Sequence, residues 1–276
     1  MNGFESYSRR LMWFIALSLT VLVTGCGGGG GGKEPILGAD VAVAVVPPGS
    51  VAGAGINDGG MGPGSCATGN LPLGSAASFG VLGGTALTIT NPTSVTGDVG
   101  SPSITPAVGP STLVGTMYDS SPATELTVIA NAVTDMQTAM SCAIARACTV
   151  NYAGATDFGG QILAPGVHCV AGAMSVGSNL TLSNPGVYIF RATGAFTTAP
   201  TVTVAFGGTA NATNTSVYWV SSGASSGASI GATNTFLGTI LVSPGAATLG
   251  ANTTLLGGRV LSSAAVTLDK NTIAIP

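Results

Sequence analysis

From Leu71 onward, apolar residues alternate with small polar ones in short runs, and glycines punctuate the runs. Period-two alternation predicts half-buried strands, because successive side chains leave a strand on opposite faces. Across Leu73–Asn91 it places Val81, Leu87 and Ile89 inward. The clearest pattern runs from Ser229 to Ile273. Ile230-Gly-Ala-Thr-Asn-Thr-Phe-Leu-Gly-Thr-Ile-Leu-Val-Ser recurs as Leu249-Gly-Ala-Asn-Thr-Thr-Leu-Leu-Gly-Gly-Arg-Val-Leu-Ser, and starts again as Leu268-Asp-Lys-Asn-Thr-Ile. Ile230, Leu249 and Leu268 are equally spaced, and upstream Pro165-Gly-Val-His returns at nearly the same interval as Pro185-Gly-Val-Tyr. A fixed period of this kind, about 20 residues, marks a solenoid, each repeat burying its apolar face against its neighbours. The repeats use Thr, Val, Ile, Leu, Gly and Asn, which favours a β-solenoid over a helical one.

With Ile230, Leu249 and Leu268 inward, Ser229, Thr248 and Thr267 face out and stack, one coil above another, about 4.8 Å apart. The third residue after each inward position is Thr233, Asn252 or Asn271, which extends the outward polar set. Asp269 and Lys270 interrupt the pattern and mark the last coil as an edge. One segment departs from period two. Leu126, Ile129, Val133, Met136, Met140 and Ile144 form a stripe at helical spacing. The predicted helix spans about 121–146, with Ser121 as N-cap and Pro122 as first helical residue.

The N-terminus has a different character. Arg9-Arg10 precede an apolar run that is too short for the ~20 residues of a membrane span and ends in Val23-Thr24-Gly25-Cys26. That ending resembles a bacterial lipobox, which implies cleavage of residues 1–25 and lipidation of Cys26. Gly27–Gly32 and the Gly/Pro-rich stretch that follows read as a tether over 26–70, with the folded domain at 71–276.

Composition narrows the function. Charged residues are 6% of the 276, against about 25% in an ordinary soluble domain. Net charge is −3 and no cluster of Lys and Arg exists, which excludes nucleic acid as a partner. His168 is the only histidine, and beside Cys169 it has no further ligands at useful spacing, so no metal or cofactor is expected. Asp98, Asp157 and Asp269 are isolated, so catalysis is not expected. Beyond Cys26 four cysteines remain, an even number in an exported chain, which favours disulfides. Of the three pairings possible, Cys142 with Cys148 and Cys66 with Cys169 is preferred: the first closes the helix end and the second staples the domain's start to a coil.

Several motifs in order carry a resemblance. They are Leu73-Gly-Ser-Ala-Ala-Ser-Phe-Gly-Val-Leu-Gly-Gly, Thr96-Gly-Asp-Val-Gly, Pro165-Gly-Val-His and Pro185-Gly-Val-Tyr-Ile-Phe. Phe236-Leu-Gly-Thr-Ile-Leu, Leu256-Gly-Gly-Arg-Val-Leu and Ala265-Val-Thr-Leu-Asp-Lys-Asn-Thr-Ile complete the series. Together they resemble the microbial ice-binding protein family over roughly Leu71–Ile275. The resemblance implies a mostly β fold: a right-handed, discontinuous β-solenoid of triangular cross-section with one long helix alongside. It also implies adsorption to ice through a flat face bearing Thr-Ala/Gly-x-Thr/Asn, which Thr85-Ala-Leu-Thr88 matches.

The expected function is therefore ice binding that slows ice growth and recrystallisation or holds the cell near ice, on a monomer whose partner is ice and its ordered water. Candidate residues are Thr85, Thr88, Ser229, Thr233, Thr248, Asn252, Thr267 and Asn271. Which face acts stays open. The expected location is a membrane, outer membrane or cell surface, reached only through the lipid on Cys26. The alternative is a surface adhesin or carbohydrate-binding solenoid without ice activity.

Overall fold

The computed structural model describes residues 66–106 and 109–276; the predicted signal peptide, Cys26 and the tether as far as Ser65 lie outside them. Within that span, corners of glycine, proline and small polar residues limit the strands to between two and eight residues. The pairings are parallel, as in Val81 opposite Val260 and Thr248 opposite Thr267. A parallel stack of short strands has three sides here. Face A is a nine-stranded sheet and face B an eight-stranded one. Face C is a five-stranded sheet that a bridge between Thr203 and Thr235 joins to a three-stranded one.

The order of coils is not the order of the chain. From Val150–Tyr152 the face A strands climb through Gly166–Val170, Gly186–Ala192, Thr215–Ser222 and Thr239–Ser243 to Val260–Ser262. That last strand then pairs with Phe79–Gly83, so the first coils of the domain sit on top of its last. The coil carrying Asp269 and Lys270 is consequently no edge: Ala265–Leu268 is paired by Ala86–Ile89 on one side and Ala247–Leu249 on the other.

Helix α1, Ala123–Ala145, makes the return journey from the strand Met117–Tyr118 at one end of face A to Val150–Tyr152 at the other. Its 23 residues rise about 34 Å, the height of about seven strand spacings. The stack sets the helix length. The helix begins two residues later than Ser121, because Pro122 occupies the N-cap position and accepts the Glu125 N–H. Ile129, Met136 and Met140 of the stripe are buried, whereas Leu126 and Ile144 at its ends are exposed.

Face A is thereby apolar on both sides. Outward Leu82, Ile189, Leu241 and Leu261 meet α1, while Val81, Phe190, Trp219 and Ile240 fill the solenoid interior. Strands such as Thr239–Ser243 therefore lack strict alternation, as expected for parallel strands covered on both faces. The corners leave no room for side chains at some positions. A Cβ on Gly245 would lie 1.9 Å from the Ser226 carbonyl oxygen, so this A–B corner needs glycine.

The disulfides correct the expected pairing. Cys66 joins Cys142 and Cys148 joins Cys169, with Cα separations of 5.0 and 5.8 Å. Cys142 lies on the buried side of α1, where the segment from Cys66 crosses it. Cys148 lies beyond the helix end, next to the strand that carries Cys169. Arg146 fixes the same crossing: its guanidinium donates to the carbonyl oxygens of Cys66, Thr68, Gly69 and Asn70. Residues 66–70, which read as the end of the tether, are thus tied to the end of α1.

Candidate functional site

On face B most strands project one hydroxyl outward beside inward apolar side chains, as Thr248 does between Ala247 and Leu249. Ser229, Thr248 and Thr267 stand opposite one another, and Thr88 continues the same column. The register carries it further than the repeat suggested. Thr105 follows Thr88, and on the other side Thr197, Ser175 and Asp157 follow Ser229. Eight rungs at about 4.8 Å span roughly 34 Å. Two residues before each rung lies a second outward column: Ala155, Ala173, Ala195, Gly227, Ala246 and Ala265, then Ala86 and Ser103. Face B is therefore a two-column lattice, mostly hydroxyls beside methyls, broken by Asp157 in the first column and by Gly227 and Ser103 in the second.

Among the described residues, the hydroxyls of Thr88, Thr105, Thr197, Ser229, Thr248 and Thr267 have no protein partner and face solvent. β-Branched threonine in a strand has few rotamers to lose, so its methyl and hydroxyl are held in repeating positions. Asp157 is the only ionised side chain on the described face B strands. It closes the last rung, where the backbone N–H groups of Gly159 and Gly177 donate to it and hold its carboxyl below the usual range. Most other charges gather on the helix side: Asp135 accepts from Ser75, Glu125 from the Asp119 N–H, and Arg191 donates to the carbonyls of Ala143 and Ile144.

The remaining predicted residues lie at the edge of this lattice. Thr85 is exposed just before the strand Ala86–Ile89. Thr233 and Asn252 are exposed at the B–C corner in the left-handed backbone region, with φ of 58° and 60°. Asn271 is a correction. The interval from Thr254 to Thr272 is shorter by one than that from Thr235 to Thr254, so the third coil lacks a residue. Lys270 then takes the corner of Asn252, with φ 51°, and Asn271 falls inside. It is 1% exposed, donates to the Gly250 carbonyl at 2.8 Å, and accepts from the Asp269 N–H. Asn234 and Thr253 hold the same place in the coils beside it, bonded to the carbonyls of Ala199 and Gly231. These buried groups satisfy corner carbonyls that would otherwise be orphaned, and so stiffen the edge of face B.

His168 is buried, with Nε2 3.2 Å from the Ala164 carbonyl and Nδ1 3.3 Å from the Tyr152 hydroxyl. Burial pushes its pKa down, which keeps the ring neutral. Cys169 is held in its disulfide, so the two do not form a thiol–imidazole pair. Among the described residues no three His, Cys, Asp or Glu side chains gather as a metal site.

A stack of parallel coils, a returning helix and a hydroxyl–methyl lattice match one family model, Ice-binding-like, over residues 81–274. The chain belongs to the ice-binding-like family. It is 32% identical over 186 residues to an ice-binding protein of Flavobacterium frigoris, covering 63% of this chain and 65% of that one. An ice-binding protein of Nostoc sp. is 31% identical over 175 residues, 61% of each chain. The match thus spans somewhat less than two thirds of those relatives. Among solved structures, the ice-binding protein of the Antarctic ascomycete Antarctomyces psychrotrophicus superposes with TM-score 0.66 and 27% identity, over 75% of this chain and 98% of that one. An ice-binding protein from an Antarctic biological consortium gives 0.63 and 30%, over 76% and 93%. In the coils of this member, Thr85-Ala-Leu-Thr88, Gly194-Ala-Phe-Thr197 and Gly245-Ala-Ala-Thr248 put the same small-x-Thr spacing on face B.

Proposed function

We propose that this member of the family binds ice, and that face B is the surface that does so. The observation that carries the reading is the register-locked pair of columns, methyl beside unpaired hydroxyl, repeated over successive coils. Ice offers neither charge nor pocket, only a regular array of water oxygens. A rigid lattice of methyls orders the water between them, and the hydroxyls anchor that water by hydrogen bonds. Because the side chains are already fixed, little conformational entropy is lost on adsorption. Adsorbed molecules pin the growing front. The reading is of a binding protein without catalytic chemistry. A sugar-binding solenoid would stack exposed aromatics on its ligand, and among the described residues every Phe, Tyr and Trp is buried or half-buried. The Cys26 signal and glycine tether support a membrane-anchored site of action.

The test is thermal hysteresis of a soluble chain of residues 27–276, which omits the lipidated Cys26, with crystal shape recorded, beside Thr248→Tyr. The expected result is faceted crystals and a freezing gap that the variant largely loses, because a ring standing above the lattice holds the flat face off ice. Round, freely growing crystals from folded wild-type protein would sink the reading.

A further inference from the structure

Face B is not the only flat, uncharged side. On face C the residues Thr203, Thr235, Thr254, Thr272, Ser94 and Thr112 stand opposite one another in consecutive coils. Six rungs at about 4.8 Å extend roughly 24 Å. Two residues along each strand runs a parallel, mostly apolar column, with Leu256 43% and Val114 62% exposed. Among the described residues, no strand of this face carries a charged side chain. The six hydroxyls, likewise among the described residues, have no protein partner. Exposed hydroxyls elsewhere often do: Thr134, Thr138 and Ser141 on α1 donate to the carbonyls of Ala130, Thr134 and Gln137, and Thr201 to that of Pro200.

Resting on the face B reading, we infer that face C is a second ice-adsorbing surface, so that the molecule engages ice on two sides that meet at the Thr233–Asn252 corner. The argument for ice as the occupant is the match of chemistry. The face is uncharged, its hydroxyls are unpaired and evenly spaced, and strand pairing fixes its geometry as on face B. The columns differ in one respect. Leucine and valine on face C replace alanine and glycine on face B, so the surface is less smooth and presents a different relief. Face C therefore selects a different ice plane and holds it less tightly.

The experiment compares the same soluble chain, residues 27–276, with its Thr254→Tyr, Thr248→Tyr and double variants, each checked for folding by thermal melting and for mass by light scattering. Fluorescently labelled protein on a single-crystal ice hemisphere reads the planes, and thermal hysteresis reads activity. Two bound planes are expected, one lost in each single variant and both in the double. Thr254→Tyr should lose part of the hysteresis, because ice on the plane that face C binds is then no longer pinned. If Thr254→Tyr matches wild type while Thr248→Tyr abolishes binding, face C is inert and the face B reading stands alone. If neither single variant changes either readout, both readings fall. A wild-type dimer that Thr254→Tyr converts to monomer without altering ice binding would make face C a protein interface and overturn the inference.

Discussion

Phe190 stacks on Trp219 with ring centroids 4.2 Å apart and planes within 10° of parallel. The two residues face each other across adjacent face A strands, and Phe196 closes on the far side of the indole at 5.0 Å. The indole N–H donates to the Leu237 carbonyl, tying face A to face C through the interior. Trp219→Ala should cost about 3–5 kcal/mol, as for a fully buried large aromatic. Trp219→Phe keeps much of the stack but leaves that carbonyl unpartnered, for about 1–3 kcal/mol. Urea unfolding of the two variants checks the order.

His168 continues that stack, 4.9 Å from Phe190, and gives stability a pH dependence with a definite sign. Its folded pKa lies below the ordinary value near 6.5 because burial disfavours the charged ring. The unfolded chain therefore takes up the proton first. Stability is flat above about pH 6.5 and falls as pH drops below it, until the folded pKa is reached. Asp157, also lowered, contributes stability that is lost only below its ordinary value near 3.8. His168→Phe should flatten the melting temperature between pH 7 and 5 and leave the more acidic loss in place.

The legible parts of this chain were those with equal coil lengths. Ser229, Thr248 and Thr267 are equally spaced, and the register observed is the register read. The rungs below them were not readable. The intervals between Asp157, Ser175, Thr197 and Ser229 lengthen at every step, because corners and the face A strands vary in length. The spacing within a rung was the signal available there: Gly172-Ala-Met-Ser175 and Gly194-Ala-Phe-Thr197 share the pattern of Gly245-Ala-Ala-Thr248. One residue missing from the third coil puts Asn271 inside, because in a strand a shift of one exchanges inside for outside. The last coil read as an edge because its partner, Ala86–Ile89, is far away in sequence.

Arg146 should prove an anchor for the domain's first residues. Four carbonyls from Cys66 to Asn70 converge on one guanidinium that is largely buried, which lowers its pKa somewhat without discharging it. Arg146→Lys should not rescue, since an ammonium lacks the planar fork that reaches several acceptors at once. Both Arg146→Lys and Arg146→Ala should speed amide exchange across residues 66–73 while amides of Gly186–Ala192 keep their protection. Equal exchange in wild type and variants would remove the anchoring role.

The two disulfides should differ in what their loss costs. Cys66–Cys142 closes a loop of 76 residues and Cys148–Cys169 one of 21. On chain entropy alone the first contributes about 4.5 kcal/mol and the second about 3.3. Peptide mapping without reductant should recover these two pairs and neither Cys66–Cys169 nor Cys142–Cys148. Replacing Cys66 and Cys142 by serine should then lower stability by about 1 kcal/mol more than replacing the other pair, on the same entropic estimate. Local contacts shape the comparison. Arg146 still holds residues 66–70 when the first bridge is gone, which narrows the gap. Arg191, which donates to both sulfurs of the second bridge and to the end of α1, keeps its helix carbonyls when that bridge is removed. The gap should therefore widen in an Arg146→Ala background, where the Cys66–Cys142 bridge alone holds the domain's first segment to the helix.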